Sequence, residues 1–331
     1  MIGNIQALRA IAAIGVVFYH TNYYLLGSHT DLFGVATFFV ISGFIMCFIC
    51  ARDPSRFFER RLIRIVPMWV VCLTFAASSF QKLNAENAVW YLKSVLFIPS
   101  DRFPILGVGW TLNFEMYFYA LFAIAIAINA RLAPIMTAAA LCAVFAGAAV
   151  FPGSFVLTYY SHEYVWYFLG GIAVFYVSRM LPPVRMPPLV AIAGMIALYA
   201  TVLIYPVAAE TSDMLAFALK ALPAAIVGWA LFAAKSGADI RSPTILLLGE
   251  ASYSIYLVHT IAMEKLLYGR IITRELSGTN IWVALFVVAV ATAVGVIVHL
   301  IVEKPIGNAI HRWLEYRKIS TAVVAGRASR D

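Results

Sequence analysis

Two ionisable residues sit in one apolar run, "LRAIAAIGVVFYH": Arg9 near its start and His20 at its end. Eleven residues at 100° each come to about 1100°, roughly 20° past three full turns, so the two share one helix face about 16 Å apart along the axis. Such groups inside a membrane helix cost several kcal/mol unless something satisfies them, which makes function the default expectation. An imidazole suits proton transfer at a hydroxyl, and a guanidinium suits an anion. A line of polar groups down one face suggests a path through the membrane. The plainer alternative is an arginine snorkelling to headgroups and a histidine bonded to a neighbouring helix.

Other stretches add candidates. "GVGWTLNFEMYFYALF" places Glu115 at a depth comparable to His20, and a carboxylate beside an imidazole fixes its tautomer; Tyr119 follows at i+4. Asp31 and His29, in the loop "SHTDLFG", are near enough in sequence to reach His20. In "RFFERRLIRIVP", Arg56, Arg60 and Arg64 form an i, i+4, i+8 stripe with Arg61 beside it. Clustered guanidinium forks bind phosphate oxygens, and basic segments also bind anionic lipid. "GEASYSIYLVHT" carries Ser252, Tyr256 and His259 at i, i+4 and i+7, a stripe that either lines the same cavity or joins helices. Thr37 and Ser42 offer hydroxyls, and Gly43 permits close helix approach. His299 and Glu303 read as a structured exit from the last span. Cys47 and Cys50 read as small apolar residues, and no metal is expected. No Walker loop, dinucleotide glycine signature, H-E-x-x-H or nucleophile elbow is present.

The elements that must carry these residues are membrane helices. Hydrophobic residues make up 63% of the 331, charged residues 12%, and mean hydropathy is +0.88. The sequence predicts an all-α polytopic membrane protein of about ten spans: 4–26, 33–51, 63–80, 111–128, 132–150, 164–180, 188–207, 215–234, 245–264 and 281–302. Continuous apolar runs without two-residue alternation argue against a β-barrel. Threading the spans with the N-terminus inside puts sixteen of the 24 Lys and Arg in the cytoplasm and six outside, so both termini are expected to be cytoplasmic. That bias accounts for the net charge of +8 without nucleic acid. The first run lacks a basic n-region before Arg9 and a small-residue cleavage site, so it is expected to remain in the mature protein. Residues 1–310 are expected to form one transmembrane domain and 311–331 a basic, partly disordered cytoplasmic tail.

Six stretches in register, "LRAIAAIGVVFYH", "FFVISGF", "RFFERRLIRIVP", "WTLNFEMYFY", "SYSIYLVH" and "VEKP", resemble the membrane-bound acyltransferase-3 family of surface-polysaccharide O-acyltransferases. The length looks like the stand-alone, exopolysaccharide-acetylating branch. The resemblance implies acetyl-CoA as donor from the cytoplasm and, as acceptor, an envelope polysaccharide or lipid-linked glycan outside. It implies a bacterial inner-membrane enzyme, with His20 as the essential histidine and Arg9 as its paired arginine. Arg60, Arg61 and Arg64 match the family's basic segment, and Glu115 its span-four glutamate. On this view the arginines hold the CoA phosphates and the thioester threads along the first span. His20 then deprotonates the sugar hydroxyl or transiently carries the acyl group. Two departures stand out: Ala36 occupies a position where the family often has aspartate, leaving Asp31 or Glu115 to orient His20, and Thr111 replaces a serine. A transporter or flippase for an anionic or lipid-linked substrate would explain the same buried charges. A third reading, an inactive relative acting as a sensor or assembly partner, is kept open by Ala36.

Overall fold

The computed structural model describes residues 2–26, 33–211, 218–267 and 281–314, and every regular element among them is helical. The chain runs through α1 (Gly3–Leu26), α2 (Gly34–Arg52), α3 (Phe57–Ser79), α4 (Ala88–Val95), α5 (Trp110–Asn129), α6 (Ala133–Val150) and α7 (Phe155–Tyr160). It continues through α8 (Val165–Met180), α9 (Pro188–Thr211), α10 (Leu222–Lys235), α11 (Pro243–Glu250), α12 (Ser252–Leu267) and α13 (Ile281–Val298), which passes into a π-helical turn at His299–Glu303. Asp31 and His29, and the tail from residue 315, lie outside the described residues.

The bundle has an apolar core that also holds polar groups, and an apolar exterior that suits a membrane. Arg9, Ser42, Thr111, Asn113, Ser252, His259 and His299 are buried, while Phe75, Ile128, Leu189, Ile196 and Trp282 are exposed. Apolar side chains facing lipid need no cover, and polar ones are kept away from it inside the bundle.

Five helical segments, those of α2, α3, α5, α6 and α13, are long and apolar enough to cross a membrane, and α11 with α12 makes a sixth as a pair bent by 66°. The sequence predicted about ten spans. Part of the difference is α8, α10 and the Pro188–Val202 part of α9, which are apolar but shorter. The other part is α1, which is 24 residues long but interrupted by Asn4, Gln6, Arg9, His20 and Asn22. It packs against α2, α10, α11, α12 and α13. A helix surrounded by helices has protein rather than lipid as its solvent, so it tolerates polar groups that a lipid-facing span would not.

The helix pair α2 and α8 shows how closely this bundle is drawn together. A Cβ at Gly43 would lie 2.3 Å from the Phe168 carbonyl oxygen, and one at Gly171 would lie 2.2 Å from that of Val40. Only glycine permits this approach. Phe39, Phe118 and Phe168 fill the space beside it, the last two rings stacked at 4.2 Å.

Candidate active site

Three cavities follow one another through the bundle, joined by residues that line two of them. The first, about 430 Å³, opens at the arginine-rich end and is lined by Arg9, Arg60, Arg64, His299, Glu303 and Lys304 among others. The second is a narrow core cavity of about 90 Å³ that shares Arg9 and Arg64 with the first. The third is a vestibule of about 1330 Å³ that shares Val35 and Tyr256 with the second and contains His20. Arg9 lines the first two of these neighbouring cavities and His20 the third.

At the arginine-rich end the expected stripe is split by where α3 begins. The helix starts at Phe57, so Arg56 precedes it in a left-handed conformation (φ 52°) and pairs with Glu59. Arg60 donates to the Asp53 carboxylate at 2.7 Å and to the Asp53 and Ser55 carbonyl oxygens. Asp53 sits in the α2–α3 loop, where hydrogen bonds from Ser55 and Arg60 hold its carboxyl down to about 2. Arg61 points inward to the core cavity, its Nε buried without a hydrogen-bond partner. Arg64 borders both cavities. On the facing helix end, His299 Nδ1 is 2.8 Å from Glu303, which also accepts from Ser254 Oγ at 2.6 Å; His299 Nε2 is buried and unpartnered.

In the core cavity Glu115 takes a place the sequence did not predict. It accepts from Ser42 Oγ at 3.0 Å and from the Tyr119 hydroxyl, and it shares the cavity with Arg9, Arg61 and Arg64. It is therefore not the partner of His20. The carboxylate shares this cavity with three guanidinium groups, whose opposite charge lowers the cost of taking it out of water. Ser252, whose Oγ is buried without a partner, lines the same cavity.

The partner of His20 is His259, 239 residues away in sequence. His259 Nδ1 lies 2.7 Å from the Tyr256 carbonyl oxygen and 3.3 Å from that of Ile255. Facing acceptors, this nitrogen must carry the proton, so His259 Nε2 is an acceptor. His20 Nδ1 is 3.2 Å from that nitrogen and 3.0 Å from the Val16 carbonyl oxygen, so it too must donate. The lone pair of His20 is thereby assigned to Nε2, in a residue that lines the vestibule. Ser252, Tyr256 and His259 thus run along α12 from the core cavity towards His20, and the Tyr256 hydroxyl donates to the Val108 carbonyl at 2.9 Å and meets Thr111 Oγ1 at 2.8 Å. Ala36 is buried, 2% exposed, and supplies no acid.

Sequence reasoning placed His259 on the route but missed its pairing with His20, because no local spacing reports a contact between the first helix and α12. Among the described residues no group of three or more potential metal ligands occurs.

The profile of the family described as the acyltransferase domain matches residues 2–300. The exopolysaccharide production protein ExoZ of Rhizobium meliloti (strain 1021) is 32% identical over 323 residues, 89% of this chain and 94% of that protein. The O-acetyltransferase OatA of Staphylococcus aureus (strain NCTC 8325 / PS 47) is 29% identical over 148 residues, 37% of this chain and 24% of that protein. The putative O-acetyltransferase SACOL0978 of Staphylococcus aureus (strain COL) is 29% identical over 147 residues, with the same coverage. No solved structure matches.

Proposed function

The chain belongs to the acyltransferase-3 family, and from that premise we propose that it is an O-acetyltransferase of the bacterial cytoplasmic membrane. It moves an acetyl group from acetyl-CoA, bound at the arginine-rich end, to a hydroxyl of an envelope polysaccharide or lipid-linked glycan at the His20 end. Residues 1–310 form the transferase domain, and 311–331 a basic cytoplasmic tail. The observation that carries this reading is the succession of three cavities, handed on at Arg9 with Arg64 and at Val35 with Tyr256, ending where His20 Nε2 is free.

The residues fit a phosphorylated, elongated donor. Arg9, Arg60, Arg64 and Lys304 border the first cavity and can bind phosphate oxygens. Arg61 Nε, Ser252 Oγ and His299 Nε2 are buried polar atoms along the route without a protein partner, which is costly unless a ligand engages them. Glu115 keeps the core cavity from carrying three uncompensated positive charges.

Transfer joins the acceptor hydroxyl oxygen to the acetyl carbon and breaks the carbon–sulfur bond. His20 Nε2 takes the hydroxyl proton as the bond forms and returns it to the leaving thiolate. The same lone pair serves as nucleophile towards the thioester if the acetyl group passes through the imidazole. His259 acts as a positioning residue, occupying the role for which Asp31 or Glu115 was expected. Asp31 lies outside the described residues, and Glu115 is engaged in the core cavity. A transporter would use the same passage but has no need of an imidazole held in one tautomer.

The test is the ester-linked acetyl content of the host's surface polysaccharide with the gene deleted, restored, or restored as His20→Ala at matched expression. Ester lost on deletion and regained only with intact His20 supports the reading. Ester fully restored by His20→Ala overturns the mechanism. Acetyl-CoA binding by purified His20→Ala protein separates transferase from transporter, since a transporter has no reason to bind it.

A further inference from the structure

A fourth cavity, about 720 Å³, lies beside the vestibule and has no part in the chemistry above. Its walls come from the α4–α5 loop, the start of α5, and α7 with the turn into α8. Phe103, Trp110, Phe114, Phe155, Tyr159 and Tyr164 supply aromatic surface, and Asp101 and Arg102 supply charge. Asp101, Arg102, Phe103, Trp110 and Tyr164 also line the vestibule, so the cleft adjoins the cavity that His20 lines.

The walls are held in place. Trp90 Nε1 donates to the Phe103 carbonyl at 2.9 Å, and the Ile105 N–H donates to Ser94 Oγ at 3.2 Å, so the loop is tied to α4 at two points. Ser100 Oγ donates to Asp101 at 3.0 Å. On the other element, the Tyr159 ring stacks on Phe114 with centroids 5.1 Å apart, and its hydroxyl accepts from Asn113 at 3.0 Å. Yet Phe103 is 69% exposed and Phe155 48% exposed. An anchored loop that presents a bare phenyl ring beside a carboxylate and a guanidinium has a specific chemistry. A pyranose has an apolar C–H face and an edge of hydroxyls. An aromatic ring covers the first, and carboxylate and guanidinium hydrogen-bond the second. A lipid tail would cover the rings but desolvate Asp101 and Arg102 without giving them a partner.

We propose that this cleft is the acceptor subsite of the transferase, in which Phe103 and Phe155 stack on sugar rings next to the one presented to His20, while Asp101 and Arg102 hold their hydroxyls. The proposal rests on the O-acetyltransferase reading and adds where and how the glycan is gripped.

The test uses the full chain in lipid nanodiscs with acetyl-CoA and oligosaccharides released from the host's surface polysaccharide after mild alkaline de-esterification. Initial rates of ester formation are measured against oligosaccharide concentration for wild type, Phe103→Ala, Phe155→Ala, Asp101→Asn and Phe103→Tyr. The expected result is a KM for oligosaccharide raised at least tenfold in both alanine variants, with kcat within twofold and the KM for acetyl-CoA unchanged. Asp101→Asn should raise the same KM, and Phe103→Tyr, which keeps the ring, should restore it. An oligosaccharide KM that stays at the wild-type value in both alanine variants overturns the subsite, as does a rise shared equally by the acetyl-CoA KM. Both phenylalanines are exposed, so folding is not at stake; gel-filtration profiles check this. Absence of ester formation by the wild type would instead refute the transferase reading, which keeps the two failures distinct.

Discussion

Replacing His259 by phenylalanine keeps an aromatic ring in a fully buried site and removes the one nitrogen that faces His20. The structure sets the size of the effect. His20 Nδ1 has two acceptors, His259 Nε2 at 3.2 Å and the Val16 carbonyl at 3.0 Å, so losing one leaves the proton on the same nitrogen but holds the ring less firmly. One net hydrogen bond is worth about 1 kcal/mol, and that much transition-state stabilisation corresponds to roughly five- to tenfold in rate. Removing the base itself with His20→Ala should cost about 10²–10⁴. The assay is initial-rate acetyl transfer to de-esterified oligosaccharide in nanodiscs, with kcat and the acetyl-CoA KM measured separately. We expect His259→Phe to lower kcat about tenfold with the donor KM unchanged, and His259→Gln, whose amide oxygen can accept from Nδ1–H, to recover most of it. A fall in His259→Phe as deep as that of His20→Ala would mean that His259 itself touches the reacting atoms. No fall at all would mean that the Val16 carbonyl alone orients the base.

Three further perturbations test other parts of the route. Arg9→Ala should raise the acetyl-CoA KM at least tenfold, and Arg9→Lys should recover only part, because a point charge does not replace a guanidinium fork at the junction of two cavities. Glu115→Ala leaves the Ser42 and Tyr119 hydroxyls and the neighbouring guanidinium groups without their carboxylate. It should destabilise the protein by about 1–3 kcal/mol, read as a lowered thermal midpoint in detergent, with Glu115→Gln closer to wild type. Gly43→Val forces side-chain carbon against the Phe168 carbonyl, where a Cβ alone would already lie at 2.3 Å, and should cost about 1–3 kcal/mol on the same measurement. An unchanged midpoint in Gly43→Val would show that α2 and α8 are not packed as described.

The helical class, the inward-facing Arg9 and His20, and the polar stripe of α12 were all legible in the sequence, because each rests on local periodicity or composition. Apolar runs report helices whatever surrounds them, and 100° per residue puts Ser252, Tyr256 and His259 on neighbouring faces before any tertiary contact is known. Span number was less legible, since hydropathy assumes lipid as solvent and α1 has five helices around it instead. The arginine stripe was read as continuous because the sequence does not mark Phe57 as the first helical residue. Only the tertiary structure decided which acid or imidazole meets which. The sequence puts Glu115 and His20 at comparable depths, but in the structure the carboxylate shares the core cavity with guanidinium groups, and His20 is left to an imidazole on α12. Depth along a helix axis can be counted along the chain. Rotation of one helix against another is set by packing many residues away, and pairings such as His20 with His259 depend on that rotation.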